Sequence, residues 1–301
     1  MSEKPTPLWD IARLFLKLGS TAFGGPAAHI AMLQREVVER RGWLSEAEFL
    51  DHLGTSNLIP GPTSTELVIH IGRRRGGWPG LLVAGACFIL PAALMVGILA
   101  SAYVRYGKMP AVAGLLYGVK PVVIAVVLQA LWKLGRSAIK SRWLAAVGLI
   151  ALALSALGVS PVLVLAVGGV LALAASVIQL RTSASVIVWD RAKSLVPAAA
   201  IGTTAAFSAG LWPIFLIFAK IGAMVFGSGY GLLVFLRAEL VERHAWLTHQ
   251  QLLDAVAVGQ VTPGPIFTTA TFLGYLLHGT TGAIAATIGI LLTAFVQIPI
   301  A

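Results

Sequence analysis

The chain has 301 residues, 57% of them hydrophobic and 11% charged, with a mean hydropathy of +0.87. Soluble domains carry about 25% charged residues, so this composition excludes an ordinary soluble protein and predicts an all-α, polytopic membrane protein. The net charge of +10 does not indicate a nucleic-acid partner, because the basic residues stand in short clusters between apolar runs, where topology-setting charges belong.

Residues 1–10 lack the basic-then-apolar order of a signal peptide, so insertion is expected to use the first apolar helices. Residues 9–23 are moderately apolar and carry Arg13 and Lys17 one turn apart. Phe23-Gly24-Gly25-Pro26 then reads as a strong helix stop. From 28 to 41 the pattern is amphipathic, with Glu36 and Arg40 placed for an i,i+4 ion pair. Ser45 and Glu48 form a capping box ahead of Phe49, Leu50 and Leu53. The next helix carries Asp51 and runs into Asn57-Leu58-Ile59-Pro60-Gly61-Pro62-Thr63-Ser64-Thr65-Glu66, a helix-breaking kink rich in hydroxyls. An apolar stretch with Glu66 and His70 follows and is closed by Arg73-Arg74-Arg75.

Membrane spans are then expected at about 81–104, 111–132, 143–157, 161–180 and 195–218. The positive-inside rule places Arg73–Arg75, the 133–142 loop and the 181–193 loop in the cytoplasm. Gly210-Leu211-Trp212-Pro213 is a place where the fifth span can break. The lone Cys87 lies in an apolar run, which excludes a disulfide framework and a thiolate metal site.

The kink recurs. Pro60 to Pro263 is a shift of 203 residues, and the same shift maps Lys17 to Lys220, Glu36 to Glu239, Trp43-Leu44 to Trp246-Leu247 and Asp51 to Asp254. Arg40 maps to Arg243, and the capping box returns as Thr248 and Gln251. The second kink reads Gln260-Val261-Thr262-Pro263-Gly264-Pro265-Ile266-Phe267-Thr268-Thr269. The expected organisation is therefore two homologous copies, 1–194 and 195–301, in opposite membrane orientation. Secondary transporters place their substrate between the interrupted segments of such halves. The second copy is shorter: counterparts of the spans at 111–180 fall beyond Ala301. That leaves a truncated product, an artificially ended chain, or a form completed by a partner chain or a second copy.

In hydrocarbon a broken helix survives only where it lines a cavity or is buried in protein. A helix starting after Pro62 presents its first N–H groups beside the hydroxyls of Thr63, Ser64 and Thr65, with Asn57 and Gly61 on the approach. That is an anion site by dipole and by donors. Gly264, Pro265, Thr268 and Thr269 offer the same from the other half. Pro60 and Pro263 serve as the breaks themselves. Glu66 is an intramembrane carboxylate, by default a functional group suited to proton carriage, with Thr269 in its place in the second copy. Its structural alternative is a partner for His70 or Lys120. His70 and His29 are candidate proton relays or satisfied histidines. Lys17 and Lys220 either face one dianion or snorkel to headgroups. Asp51 and Asp254 either accept protons or make packing hydrogen bonds. Glu36 with Arg40, and Phe23 to Pro26, read as structural. No enzyme, cofactor or metal signature is present, so transport would run on an ion or substrate gradient. From the residues alone the reading is an inverted-repeat carrier for a small anion.

Phe23-Gly24-Gly25-Pro26-Ala27-Ala28-His29-Ile30, Glu36-Val37-Val38 with Arg41-Gly42-Trp43-Leu44, Asn57 to Pro62 with Ser64-Thr65-Glu66, Ile69-His70-Ile71-Gly72 and Cys87-Phe88-Ile89-Leu90-Pro91-Ala92 resemble the chromate transporter (CHR) family. Residues 220–274 are similar to its C-terminal copy more loosely. The resemblance implies a multi-pass protein of the cytoplasmic (inner) membrane that exports chromate, using the proton motive force and conferring chromate resistance. Sulfate would be a close analogue. It also implies two oppositely oriented halves, whereas long-chain members extend further than this sequence. Rival readings are an oxyanion importer, a partner-dependent membrane subunit that does not itself transport, and a membrane-embedded reductase, for which the sequence offers no redox centre.

Overall fold

The computed structural model describes residues 6–59, 61–107, 141–157, 210–225 and 230–297, with isolated positions between 114 and 171. The expected spans at 111–132 and 161–180 and the 181–193 loop lie outside the continuously described residues, as do Pro60, Lys120, 195–209 and 226–229. The described residues are all-helical, without strands. The chain divides into two compact units, one made of 1–125 with 206–301 and the other of 126–205.

Helix α1 (Leu8–Thr21) ends at the predicted stop, and α2 (Gly25–Gln34) starts on Gly24 in a left-handed conformation. A π-helical turn, Arg35–Arg40, extends α2. The Ser45–Glu48 capping box opens α3 (Glu46–Leu58) as expected. Helix α4 spans Thr63–Tyr106 but reverses at Gly76 and Gly77. In a straight helix residues 72 and 80 would stand about 12 Å apart. Here a Cβ on Gly72 would overlap the Gly80 carbonyl, and one on Gly85 would press on Ile69. The two arms therefore fold back on each other. Gly77 makes the reversal at φ 62° and ψ −151°, a region essentially reserved for glycine.

Helix α5 (Arg142–Ala156) belongs to the smaller unit, and Ser141 caps its first turn by accepting from the Leu144 N–H. In the larger unit the chain resumes with α6 (Leu211–Met224), which starts at Gly210 in extended backbone. The helix boundary at Gly210 stands where the sequence allowed the fifth span to break, and 195–209 lie outside the described residues. Pro213 falls in the first turn of α6, where its missing N–H removes no intrahelical bond. Then come α7 (Tyr230–Leu236), a second π-helical turn (Arg237–Arg243), α8 (His249–Val261) behind the Thr248–Gln251 capping box, a 3₁₀ turn (Ile266–Thr268), and α9 (Thr269–Gln297). Helix α9 bends at His278 and Gly279, and Gly274 meets Gly282 across the bend.

Helix α1 packs along α4, α6 along α9, and α4 also against α9. Glycines set the closeness of these crossings: Gly19 rests on the backbone of Phe88, and Gly222 on that of Ile290. Ile11, Leu14, Phe15 and Leu18 of α1 share a buried cluster with Leu33, Val37, Phe49, Leu67, Val68 and Phe88. Among the described residues two helices, Thr63–Tyr106 and Ile266–Val296, are long and apolar enough to cross a membrane.

The π-helical turns carry matching ion clusters. Glu36 accepts from Lys17 at 3.2 Å and Arg40 at 2.8 Å, with Arg41 at 3.7 Å. Glu239 accepts from Lys220 and lies 3.4 Å from Arg243 and 3.7 Å from His244. Burial opposes ionisation of Glu36, but the hydrogen bond and charge of Lys17, with Arg40, outweigh it and hold the carboxyl below its ordinary value. A lowered carboxylate value contributes stability above the unfolded-state value of about 4.3, which is lost as pH falls through the folded value. Glu36→Gln is therefore expected to destabilise the chain by roughly 1–3 kcal/mol at neutral pH, between an exposed and a buried pair. The difference in Tm from the parent should close on acidification. A gap that persists unchanged at acid pH would show that charge is not what Glu36 contributes.

Candidate functional site

Helix α3 ends at Leu58, Ile59 is extended, and α4 begins at Thr63 with no side chain capping it. Thr65 and Glu66 donate their N–H groups to the Pro62 carbonyl at 2.8 and 3.0 Å, leaving the amides of Thr63 and Ser64 as the uncapped end of the helix. Residues 61–72 are all buried. Helical side chains lean toward the N-terminus of their helix, and Glu66 does so. Its Oε1 lies where a Cβ on Gly61 would stand, so the carboxyl sits at the break itself and only glycine at 61 leaves it room.

Among the described residues both carboxyl oxygens of Glu66, the hydroxyls of Ser56, Thr63 and Thr65, and Nε2 of His70 are buried without a hydrogen-bond partner. Each such group costs about 1–3 kcal/mol. Six within fifteen residues of sequence is not an ordinary core. His70 also faces His52, with ring centroids 5.5 Å apart. Uncapped amides and open hydroxyls together gather donors at a helix N-terminus, which suits an oxyanion.

The second break is built differently. Helix α8 ends at Val261, Gly264 adopts φ +91° and Pro265 is extended. Pro263, Gly264 and Pro265 are buried. The Thr268 hydroxyl donates to the Pro265 carbonyl at 2.8 Å and that of Thr269 to the Ile266 carbonyl at 2.8 Å. Gly264 N–H donates across to the Ala22 carbonyl at 2.9 Å. The register also changes. Gly61 and Gly264 differ by 203, whereas Gly77 and Gly279 differ by 202. The offset between the two copies therefore steps by one residue somewhere between Gly264 and Gly279.

The other sequence candidates separate. Lys17 and Lys220 are held by Glu36 and Glu239. Asp51 and Asn57 are exposed. Asp254 is buried and accepts from Tyr103 at 2.9 Å and Gln250 at 3.0 Å. Sequence reading passed over Ser56 and His52. Their i,i+4 spacing puts both on one face of α3, and that was the signal available.

A family model described as "Chromate transporter" matches residues 9–173 and 212–301. The chain belongs to the chromate transporter family. Within that family it is 34% identical over 296 residues to the "Probable chromate transport protein" of Synechococcus elongatus, covering 96% of this chain and 74% of that one. It is also 34% identical to the "Chromate transport protein" of Pseudomonas aeruginosa, covering 93% and 69%, and to that of Cupriavidus metallidurans, covering 93% and 70%. No solved structure shows a significant match. Membership of the chromate transporter family makes this a membrane protein of a transporter class.

Proposed function

We propose that this chain carries chromate out of the cell across the cytoplasmic membrane by alternating access, drawing on the proton motive force and conferring chromate resistance. The oxyanion is held at the N-terminus of α4 by the amides of Thr63 and Ser64 and the hydroxyls of Thr63, Ser64 and Thr65, within reach of Gly61 and Pro62. The carrying observation is the cluster of buried, partnerless hydroxyls around an uncapped helix end. The names of the relatives favour chromate as the cargo. Matching ion clusters, capping boxes and glycine bends support two copies, 1–194 and 195–301, and their inversion in the membrane rests on the charge pattern of the loops. Glu66 moves the proton, with His70 beside it. An uncompensated buried charge is costly, so the carboxyl gains or loses its charge as protons and anion come and go. Lys17 and Lys220 add positive potential and meet the anion only when their glutamates release them.

The two breaks have unequal roles in this scheme. The Thr65 hydroxyl is unpartnered, whereas that of Thr268 is spent on its own turn. Thr65→Val is therefore expected to weaken chromate binding by roughly tenfold, the value of one charge-assisted hydrogen bond, and to raise Tm by removing a buried orphan. Thr268→Val is expected to change affinity far less. Equilibrium chromate binding to the purified chain in nanodiscs measures both. Equal affinities in the parent and Thr65→Val would place the anion elsewhere. Competition by sulfate in the same assay distinguishes a chromate-selective site from a general oxyanion site.

A further inference from the structure

One imidazole touches both helix breaks. His29, on α2, is 2% exposed. Its Nε2 lies 3.0 Å from the Ala22 carbonyl at the end of α1, and the same carbonyl accepts from Gly264 N–H of the second break. Its Nδ1 lies 3.4 Å from Oγ of Ser64 in the first break. The Phe88 ring closes one side edge-on at 5.8 Å.

The protonation of this ring decides what Ser64 can do. A carbonyl only accepts, so Nε2 carries the hydrogen in the neutral ring and Nδ1 is a bare acceptor. The Ser64 hydroxyl then donates to Nδ1, and its one proton is used. When the ring takes a second proton, Nδ1–H donates to Ser64 Oγ instead. The hydroxyl proton turns outward, and a positive charge stands behind it.

We propose that His29 is the proton-responsive positioning residue of the oxyanion site: its protonation turns the Ser64 hydroxyl from the ring to the anion, coupling anion binding at α4 to proton uptake on α2. This rests on the reading of the α4 N-terminus as the oxyanion site.

Among the described residues the hydrogen-bond partners of the His29 ring are uncharged. It meets the Ala22 carbonyl from α1, Ser64 and Phe88 from α4, and through Ala22 the backbone of Gly264. The ionisable groups on those elements are Asp10, Arg13 and Lys17 on α1, Glu66, His70, Arg73, Arg74, Arg75, Cys87, Tyr103, Arg105 and Tyr106 on α4, and Asp254 and His249 on α8. Lys17 is engaged by Glu36, and Asp254 by Tyr103 and Gln250. Burial holds the imidazole below its ordinary value, and the Ala22 hydrogen bond pulls part of the way back. The neutral form therefore prevails at neutral pH, and the switch works on the acid side.

The test is equilibrium binding of sulfate to the full chain in nanodiscs from about pH 8 to about pH 4, reaching below the range of about 5 to 8 in which an ordinary histidine switches. Sulfate stays a dianion throughout, so any slope belongs to the protein. The parent is expected to bind sulfate roughly tenfold more tightly at the acid end. His29→Gln keeps a donor for Ala22 but cannot titrate, and should lose most of that step, leaving only the slope that Glu66 contributes. Ser64→Ala should shrink the same step with His29 intact, leaving only the attraction of the imidazolium charge. An acid-side slope that is undiminished in either His29→Gln or Ser64→Ala overturns the proposal while leaving the anion site standing, and Ser64→Ala decides the matter should His29→Gln fail to fold. If the parent binds neither sulfate nor chromate, the anion-site reading itself fails and this coupling falls with it.

Discussion

Glu66→Gln is expected to cut chromate flux driven by an imposed pH gradient at least tenfold in proteoliposomes, with chromate binding retained. Glutamine matches the acid in size and can still donate from its amide, but it cannot give up or take a proton. The carboxyl is fully buried, stands at the break in the chain, and has no partner among the described residues. No structural hydrogen bond is therefore lost by the exchange, and Tm should stay level or rise, because the cost of a buried acidic group is relieved. That combination, uncoupled flux in a stable protein, separates a transport role from a packing role. Flux that still follows the pH gradient in Glu66→Gln would remove the proton from this residue.

Gly264→Val is expected to cost roughly 3–5 kcal/mol, from overpacking and from a backbone conformation that side chains resist. A Cβ there would lie 2.6 Å from the Ala92 Cβ and 3.0 Å from the Gly19 carbonyl, at φ +91°. Those neighbours are a rigid methyl group and a helix backbone, so neither yields. The loss is a large share of the 5–15 kcal/mol that holds a typical fold. Gly54→Ala is the control: nothing lies within 4 Å of its position in α3, and it should stabilise by up to about 1 kcal/mol. Thermal unfolding in detergent, read by size-exclusion, compares the two. An unchanged Tm in Gly264→Val would mean that the second break does not lie against α1 and α4 at this distance.

Much of the local structure could be read directly from the sequence. The stop at Gly24 and Gly25 and both capping boxes appear as expected, because each depends on residues within one turn of each other. The i,i+4 pair of Glu36 with Arg40 is of the same kind. Three features lay beyond sequence reading because they join residues far apart in the chain. Lys17 reaches Glu36 across the turn between helices. His29 reaches Ser64 across thirty-five positions. Tyr103 reaches Asp254 from the other half of the chain. The reversal at Gly77 sits between. Gly76-Gly77-Trp78-Pro79 is strong turn chemistry, but the arginine run before it drew the reading toward a loop, and only the contact of Gly72 with Gly80 shows a hairpin. Likeness of the two kinks in sequence also hid their difference in chemistry. The hydroxyls of Thr268 and Thr269 look available on paper and are occupied in the fold.

That last difference has a kinetic consequence. In a carrier whose halves were chemically alike, the two openings would be mirror versions of each other and would grip the cargo equally well. Here the first break keeps the Thr63 and Thr65 hydroxyls open, and the second has closed those of Thr268 and Thr269 on its own carbonyls. In the proposed carrier, exchanging the conformations of the halves then would not regenerate the same binding surface, and affinity at the two membrane faces would differ. With no driving force, the ratio of maximal rate to half-saturation concentration is equal in both directions. Unequal affinities therefore impose unequal maximal rates, and such a carrier runs faster from its weaker-binding side once both sides are saturated.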